Sequence, residues 1–342
     1  MAAAPWYCTR ETVKAALESA STARSNGQVD RAISAACRSV DEQMRRVFYP
    51  TVDTRRFTWP ADNTVTGNRL WLEDSEVISV TSVSIDDVAV STDDYTLEPV
   101  NEGPPYSRIE LDLTGTTTSW SEGDIAVVGL FGFRDDEDDD SVTITGDITA
   151  SARTVALSAA PDVGVGSLLR VGSERMIVRR RSMASTGQTL QTALTATSSE
   201  RTVAVVDGGE FVEGDVLLVD AERMLVTDIA GNNLVVRRSW DGSALAAHTL
   251  GATVWALRSC TVDRGVLGTT AAAHTSGDTV YRARFPGLIE QLAVAEAMVL
   301  LLQEQSGYGR VVGQGETQRE QAGDGLADLR NRAYAAYARK VV

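Results

Sequence analysis

Apolar positions recur with helical spacing at both ends of the chain and with two-residue spacing between them. From Thr9 to about Phe48 the three- and four-residue steps predict two helices, broken near Ser25, Asn26 and Gly27. In the second, Val29, Ile33, Ala36, Val40, Met44 and Val47 form one stripe, and Pro50 requires the helix to end before it. Between Arg55 and Phe133 the period falls to two, as in Leu70 and Leu72, Ile78 and Val80, Val83 and Ile85, or Ile109, Leu111 and Leu113. Turn signals at Gly67-Asn68, Asp86-Asp87 and Gly103-Pro104-Pro105 separate these runs, so a small antiparallel sheet is expected.

A block of like charge follows, Arg134-Asp135-Asp136-Glu137-Asp138-Asp139-Asp140, which reads as an extended, solvated domain junction. It lacks the alternating Asp/Asn, central glycine and distal Glu of a calcium loop. From Ser141 to Arg284 the chain is rich in Gly, Thr, Ala and Val and repeats itself. Arg153-Thr154-Val155-Ala156 and Glu174-Arg175-Met176-Ile177-Val178 return as Arg201-Thr202-Val203-Ala204 and Glu222-Arg223-Met224-Leu225-Val226, each at an offset of 48 (201 − 153; 222 − 174). A second similarity, at an offset of 26 (274 − 248), relates the stretch from Val236 through Ala246-Ala247-His248-Thr249 to Val254 to the one from Val262 through Ala272-Ala273-His274-Thr275 to Val280. Duplicated short strands with glycine turns predict a sandwich- or barrel-like insertion.

Helical spacing returns after Phe285-Pro286-Gly287. Leu288, Leu292, Ala295, Val299 and Leu302 make one stripe, while Ile289, Val294, Met298, Leu300 and Leu301 make the helix apolar on other faces too. That predicts burial on more than one side, including by a neighbouring subunit. A glycine-rich loop, Gly307 to Gly315, leads to a final helix from about Asp324, with Leu326, Leu329, Ala333 and Tyr337 on one face. The stretch 288–302 is broken by Glu290, Gln291 and Glu296 and is shorter than the about 20 residues of a membrane span; no membrane association or signal peptide is expected.

With 342 residues the chain accommodates two domains, or one domain carrying a large insertion. A hydrophobic fraction of 43% implies a buried core. The net charge of −15 argues against a duplex-gripping surface, because such affinity comes from Lys and Arg neutralising phosphates. Arg179-Arg180-Arg181 and Arg237-Arg238 read as solvated faces of strand ends. Three scattered cysteines, Cys8, Cys37 and Cys260, form neither a disulfide framework nor a zinc spacing, and two of them are expected to be buried as small hydrophobes.

No sequence pattern points to catalysis or to a cofactor. The only histidines, His248 and His274, occupy equivalent positions of one repeat, which favours a structural turn whose imidazole bonds local backbone over a unique catalytic base. Zinc held by His248, Cys260 and His274 matches no compact ligand spacing. The loop Gly307-x-Gly309-x-x-x-Gly313 follows a helix and lacks the Lys-Ser/Thr of a phosphate cradle. No nucleophile elbow or metalloprotease motif is present.

The order of parts carries a resemblance. Asp30-Arg31-Ala32-Ile33-x-x-Ala36, Arg46-x-Phe48-Tyr49-Pro50, Tyr95-Thr96-Leu97-x-Pro99, Pro105-Tyr106-x-x-Ile109, Val128-Gly129-x-Phe131-Gly132-Phe133 and the helix after Pro286 resemble the head-to-tail adaptor, or connector, proteins of long-tailed bacteriophages. The match covers roughly Thr9 to Phe133 and Phe285 to the end. Arg264-Gly265-x-x-Gly268-Thr269-x-Ala271-Ala272-x-His274 looks like β insertions in adaptors from phages of actinobacteria. The chain departs from shorter adaptors in the duplication of that insertion.

The resemblance, with the periodicities, implies an α+β fold: a helical adaptor core of N- and C-terminal helices, a small antiparallel sheet and a large all-β insertion. The corresponding divisions are 1–134 and 285–342 for the core, 135–140 for the acidic linker and 141–284 for the insertion. It further implies a structural, non-enzymatic virion protein assembled in the host cytoplasm into a dodecameric ring in the neck. The ring sits under the portal protein, docks the stopper or tail-completion protein and extends the DNA channel. Genomic DNA passes during ejection without sequence-specific binding. By this analogy Tyr334, Tyr337, Arg339, Lys340, Val341 and Val342 dock the portal, while Leu288, Leu292, Val299 and Leu302 face the next copy in the ring. The competing expectations are a capsid- or carbohydrate-binding β-repeat module and an enzyme using a carboxylate of raised pKa.

Overall fold

The computed structural model describes residues 4–17, 25–59, 67–120, 123–138, 142–160, 162–305 and 316–339. Two helices open it, α1 (Arg10–Ala16) and α2 (Asn26–Met44). Ser25 caps α2 by accepting from the Gln28 amide, while the Gln28 side chain returns a bond to the Ser25 amide. Arg45 in the left-handed region ends the helix, so Val29, Ile33, Ala36, Val40 and Met44 are buried as the stripe requires, whereas Val47, expected in the same stripe, lies past the helix end and is exposed.

Seven strands follow: β1 (Thr51–Trp59), β2 (Arg69–Trp71), β3 (Val77–Ile85), β4 (Val88–Val90), β5 (Tyr95–Glu98), β6 (Arg108–Leu111) and β7 (Gly123–Phe131). They form two antiparallel sheets instead of one, ordered β1-β7-β3-β4 and β2-β6-β5, around a shared core that includes Leu70, Leu72, Ile109, Ile125 and Phe131. Shifts in the β3–β7 register after Val77 and Val80 place Val77 and Val83 inward and leave Ile78 only half-buried.

The acidic run is not a solvated linker through its described part. Glu137–Asp138 is strand β8, Asp135 and Glu137 pair with Arg175, and Asp138 with Arg282 and Arg284. Arg170 binds Glu137 through Nε and Nη2. Like charges self-repel only until countercharges arrive, and here the following domain supplies four arginines. Asp139 and Asp140 lie outside the described residues.

The remaining strands are β9 (Thr154–Ala156), β10 (Leu168–Val171), β11 (Glu174–Thr189), β12 (Thr202–Ala204), β13 (Val216–Val219), β14 (Glu222–Ala230), β15 (Asn233–Arg237), β16 (Thr253–Asp263) and β17 (Val280–Ala283). With β8 they make one ten-stranded sheet. Apart from β8 at its edge, it consists of two copies of a five-stranded module, one nested in the other. The inner order is β12-β15-β14-β13-β16 and the outer is β9-β16-β11-β10-β17, with β16 serving both.

The rungs correspond. Val226 pairs with Val236 as Val178 pairs with Val262, and Val219 with Val254 as Val171 with Val280. The inner copy is therefore mounted on the long β11–β16 hairpin of the outer one. Each module has its own core, Met224 and Leu234 in one matching Met176 and Cys260 in the other.

The chain closes with α3 (Gly287–Gln305) and α4 (Glu316–Tyr337), which pack on α2. Helix α4 starts eight residues ahead of Asp324, because Glu, Gln, Arg and Ala between 316 and 322 favour helix strongly enough to carry it across Gly323 and Gly325. Among the described residues 38% are in strand and 22% in helix, so the fold is mostly β, which overturns the expected α+β fold with a helical core. The four described helices form one layer beside two small sheets and a ten-stranded sheet. The periodicities located most of these elements. The helical emphasis came from the resemblance, whose residues cluster towards the chain ends.

Each module is locked by a buried glutamate. Glu174 accepts from Nε and Nη2 of Arg264 at 2.7 Å, from the Gly265 and Ala272 amides at 3.0 Å and from His274 Nε2 at 2.8 Å. Glu222 repeats the arrangement with Arg238 at 2.8 Å, the Ser239 and Ala246 amides, and His248 Nε2 at 3.0 Å. The imidazoles thus bind carboxylate, not the local backbone predicted for them. Burial alone would raise both glutamates, but these donors outweigh it and hold each at about 2.

Removing either carboxylate strands a buried Arg and His, so Glu174→Ala and Glu222→Ala should each cost about 3–5 kcal/mol in urea unfolding. Arg56→Ala, in an exposed pair with Asp124, should cost less than about 1 kcal/mol. Acid should act in two opposed steps. Asp41, pushed to about 6 by burial against the opposing Tyr7 hydroxyl and Arg38, disfavours the fold when ionised, so the helical layer gains stability as pH falls through 6 towards 4. The glutamate locks contribute fully above pH 4.5 and are lost as pH falls from there to 2. Thermal melts from pH 7 to 3 that decline smoothly, with no gain between 6 and 4.5 in the helical signal, would contradict the first step.

Candidate interaction surfaces

Helix α3 decides which apolar positions are left over. Ile289, Leu292, Ala293, Ala297 and Leu301 are buried among α2, α4 and the N-terminal segment. Glu296 lies on the same face and is buried too, its Oε1 accepting from Gln43 Nε2 on α2 and Arg330 Nε on α4, both at 2.9 Å. That shared carboxylate fixes the rotation of α3, since turning the helix outward would break two charge-assisted bonds. Leu288, Ala295 and Val299 are consequently only half-buried, and Leu302 is 52% exposed.

Of the four residues expected at a ring contact, the structure places Leu288, Val299 and Leu302 along one outward face and Leu292 inside the core. Periodicity could not separate these sides, because apolar residues occur almost all round the helix. The signal that could have done so is the pairing of Glu296 with a polar residue on another helix.

The C-terminal segment divides similarly. Tyr334 is 57% exposed, whereas the Tyr337 ring packs edge-on against Phe48 and Phe133, with centroids 6.2 and 5.8 Å away. The Arg339 amide donates to the Met44 carbonyl at 3.0 Å, and its guanidinium reaches Asp74 at 2.6 Å, so this residue ties α4 to the end of α2 and to the β2–β3 turn. Lys340, Val341 and Val342 lie outside the described residues, as does the glycine loop 307–315.

One further contact ties the helical layer to the small sheets, and another ties β1 to the β16–β17 loop of the ten-stranded sheet. Arg46 pairs with Glu76 at 2.8 Å, and the Val52 amide donates to the Leu267 carbonyl. Gly268 permits that second approach: it has φ +80°, and a Cβ there would stand 1.8 Å from the Val52 oxygen. All three cysteines are buried and free. Among the described residues no cluster of His, Cys, Asp and Glu is arranged to hold a metal ion, and no helix is long and apolar enough to cross a membrane. No protein-family model, curated protein or solved structure matches the chain.

Truncation of the outward face should be tolerated and that of the inward face should not. Leu302→Ala is expected to change unfolding free energy by no more than about 0.5 kcal/mol. Leu292→Ala should cost about 2–5 kcal/mol, a contrast that paired denaturant titrations measure directly.

Proposed function

We propose that this chain is a structural virion protein of the bacteriophage neck, a head-to-tail adaptor that assembles as a dodecameric ring under the portal protein. The ring extends the DNA channel, docks the stopper or tail-completion protein and carries the genome outward during ejection. The order of motifs from Asp30 to Phe133 and after Pro286 supports this reading.

One structural observation carries it furthest: the outward face of α3, where Leu288, Val299 and Leu302 line up on a helix held in place by Glu296. A ring of identical copies needs a patch that meets a different patch on the next copy, and an apolar stripe held rigidly in one orientation supplies one half of such a contact. The charge balance, 47 acidic against 32 basic residues, suits a wall past which DNA slides, since fewer cations mean fewer phosphate contacts to break. The portal-docking role rests on analogy and falls on Tyr334 among the freely exposed side chains and on the segment 340–342.

Purified chain mixed with portal and weighed by native mass spectrometry should give twelve copies per portal, and negative-stain images should show a collar. Val299→Asp with Leu302→Asp should abolish the ring while the monomer stays folded. A chain that remains monomeric beside portal, with no density added to it, would overturn the reading; glycan or capsid binding in its place would favour the β-repeat module. Deleting 338–342 should release the portal in a pull-down.

A further inference from the structure

A groove of about 750 Å³ runs between the helical layer and the inner module. One wall is α1, with Arg10, Lys14 and Ala15; the other is the inner module, with Val216, Arg223, Leu225, Arg237 and Trp240, and Arg181 and Leu257 also line it. The sequence gives these cations no common motif, because they come from positions 10 to 237 and meet only in the fold. Five cationic side chains line the groove against two carboxylates, Glu11 and Asp241, in a chain where carboxylates outnumber Lys and Arg by 47 to 32.

The internal pairs do not use up this charge. Asp30 binds Arg10 at 2.5 Å, Asp241 binds Arg223, and Glu11 accepts from the Val165 amide. Lys14 and Arg237 have no carboxylate partner among the described residues. Arg237 instead lies over the Trp240 indole, 5.0 Å from its centroid. Among the described residues Arg181 donates only to the Ala160 and Leu257 carbonyls, and its buried Nε has no partner. A partly buried guanidinium beside two unpaired cations calls for an anion from outside.

We propose that this groove is the docking site of an acidic, aliphatic peptide segment of a partner protein. Carboxylates would meet Lys14, Arg181 and Arg237, and the ligand's apolar side chains would lie on Val216, Leu225 and Leu257. A nucleic-acid strand fits less well. It presents no aliphatic groups to those walls, the indole face is already occupied by Arg237, and beyond the groove it would run over a surface of opposite preference. The proposal does not depend on ring formation.

The test is a fluorescence-anisotropy titration of the full chain at low ionic strength with a labelled ten-residue peptide alternating Glu and Leu. The unaltered chain should bind it, and Lys14→Glu with Arg237→Glu should weaken binding at least tenfold. Among the described residues neither has an ion pair to lose, and only the exposed Arg237–Trp240 contact is given up, so the thermal melt should fall only slightly; Lys14→Gln with Arg237→Gln, which adds no repulsion, should show an intermediate loss of binding. A peptide alternating Lys and Leu should not bind. Failure of the unaltered chain to bind the acidic peptide, equal binding by the variants, or tighter binding of a ten-nucleotide oligothymidylate would each overturn the proposal.

Discussion

The β half of this protein depends on two carboxylates that never see water. Glu174 and Glu222 each stand at the start of a strand, and each gathers an arginine fork, two backbone amides and an imidazole from a long loop that follows later in the chain. Those loops have few ladder bonds of their own, so their order comes from the carboxylate at the centre. Burying a charge is costly unless every lone pair is used, and here five donors converge on each side chain. The same chemistry, less buried, recruits the acidic run at 135–138 into the edge of the ten-stranded sheet through Arg170, Arg175 and Arg282. Arginine is suited to both tasks because its planar fork can bind a carboxylate through two bonds.

Much of this architecture could be read from the residues. The α2 stripe, its break at Ser25, the α3 start after Pro286 and the repeat offsets of 48 and 26 all correspond to observed elements. The two offsets even contained the nesting: matching segments shift forward in the first half and backward in the second, which a tandem array cannot do. What stayed hidden was long-range pairing. Nothing local in Glu137 says that it will meet Arg170, nor in Glu296 that Gln43 and Arg330 will share it.

Side-chain period also failed where both faces of an element are apolar or where a bulge resets it. Helix α3 is the first case; its inward face was chosen by one buried glutamate that the pattern counted as an interruption. Strand β3 is the second, its register shifts moving Val77 inward in place of Ile78. The candidate surfaces were legible to the same extent. Leu302 and Tyr334 lie outside, Leu292 and Tyr337 inside, and residue type alone does not tell the members of either set apart.

The chain leaves the outer module at Thr189 and re-enters it at Thr253, and these two residues face each other across the β11–β16 ladder. Entry and exit therefore sit side by side on one stalk, so the inner copy behaves as a detachable head: a shortened relative could lack it and still close its hairpin with an ordinary turn. Such an arrangement lets the head diverge, as with its own Trp240 and Arg237 facing the groove, while the stalk and the module beneath it remain unaltered.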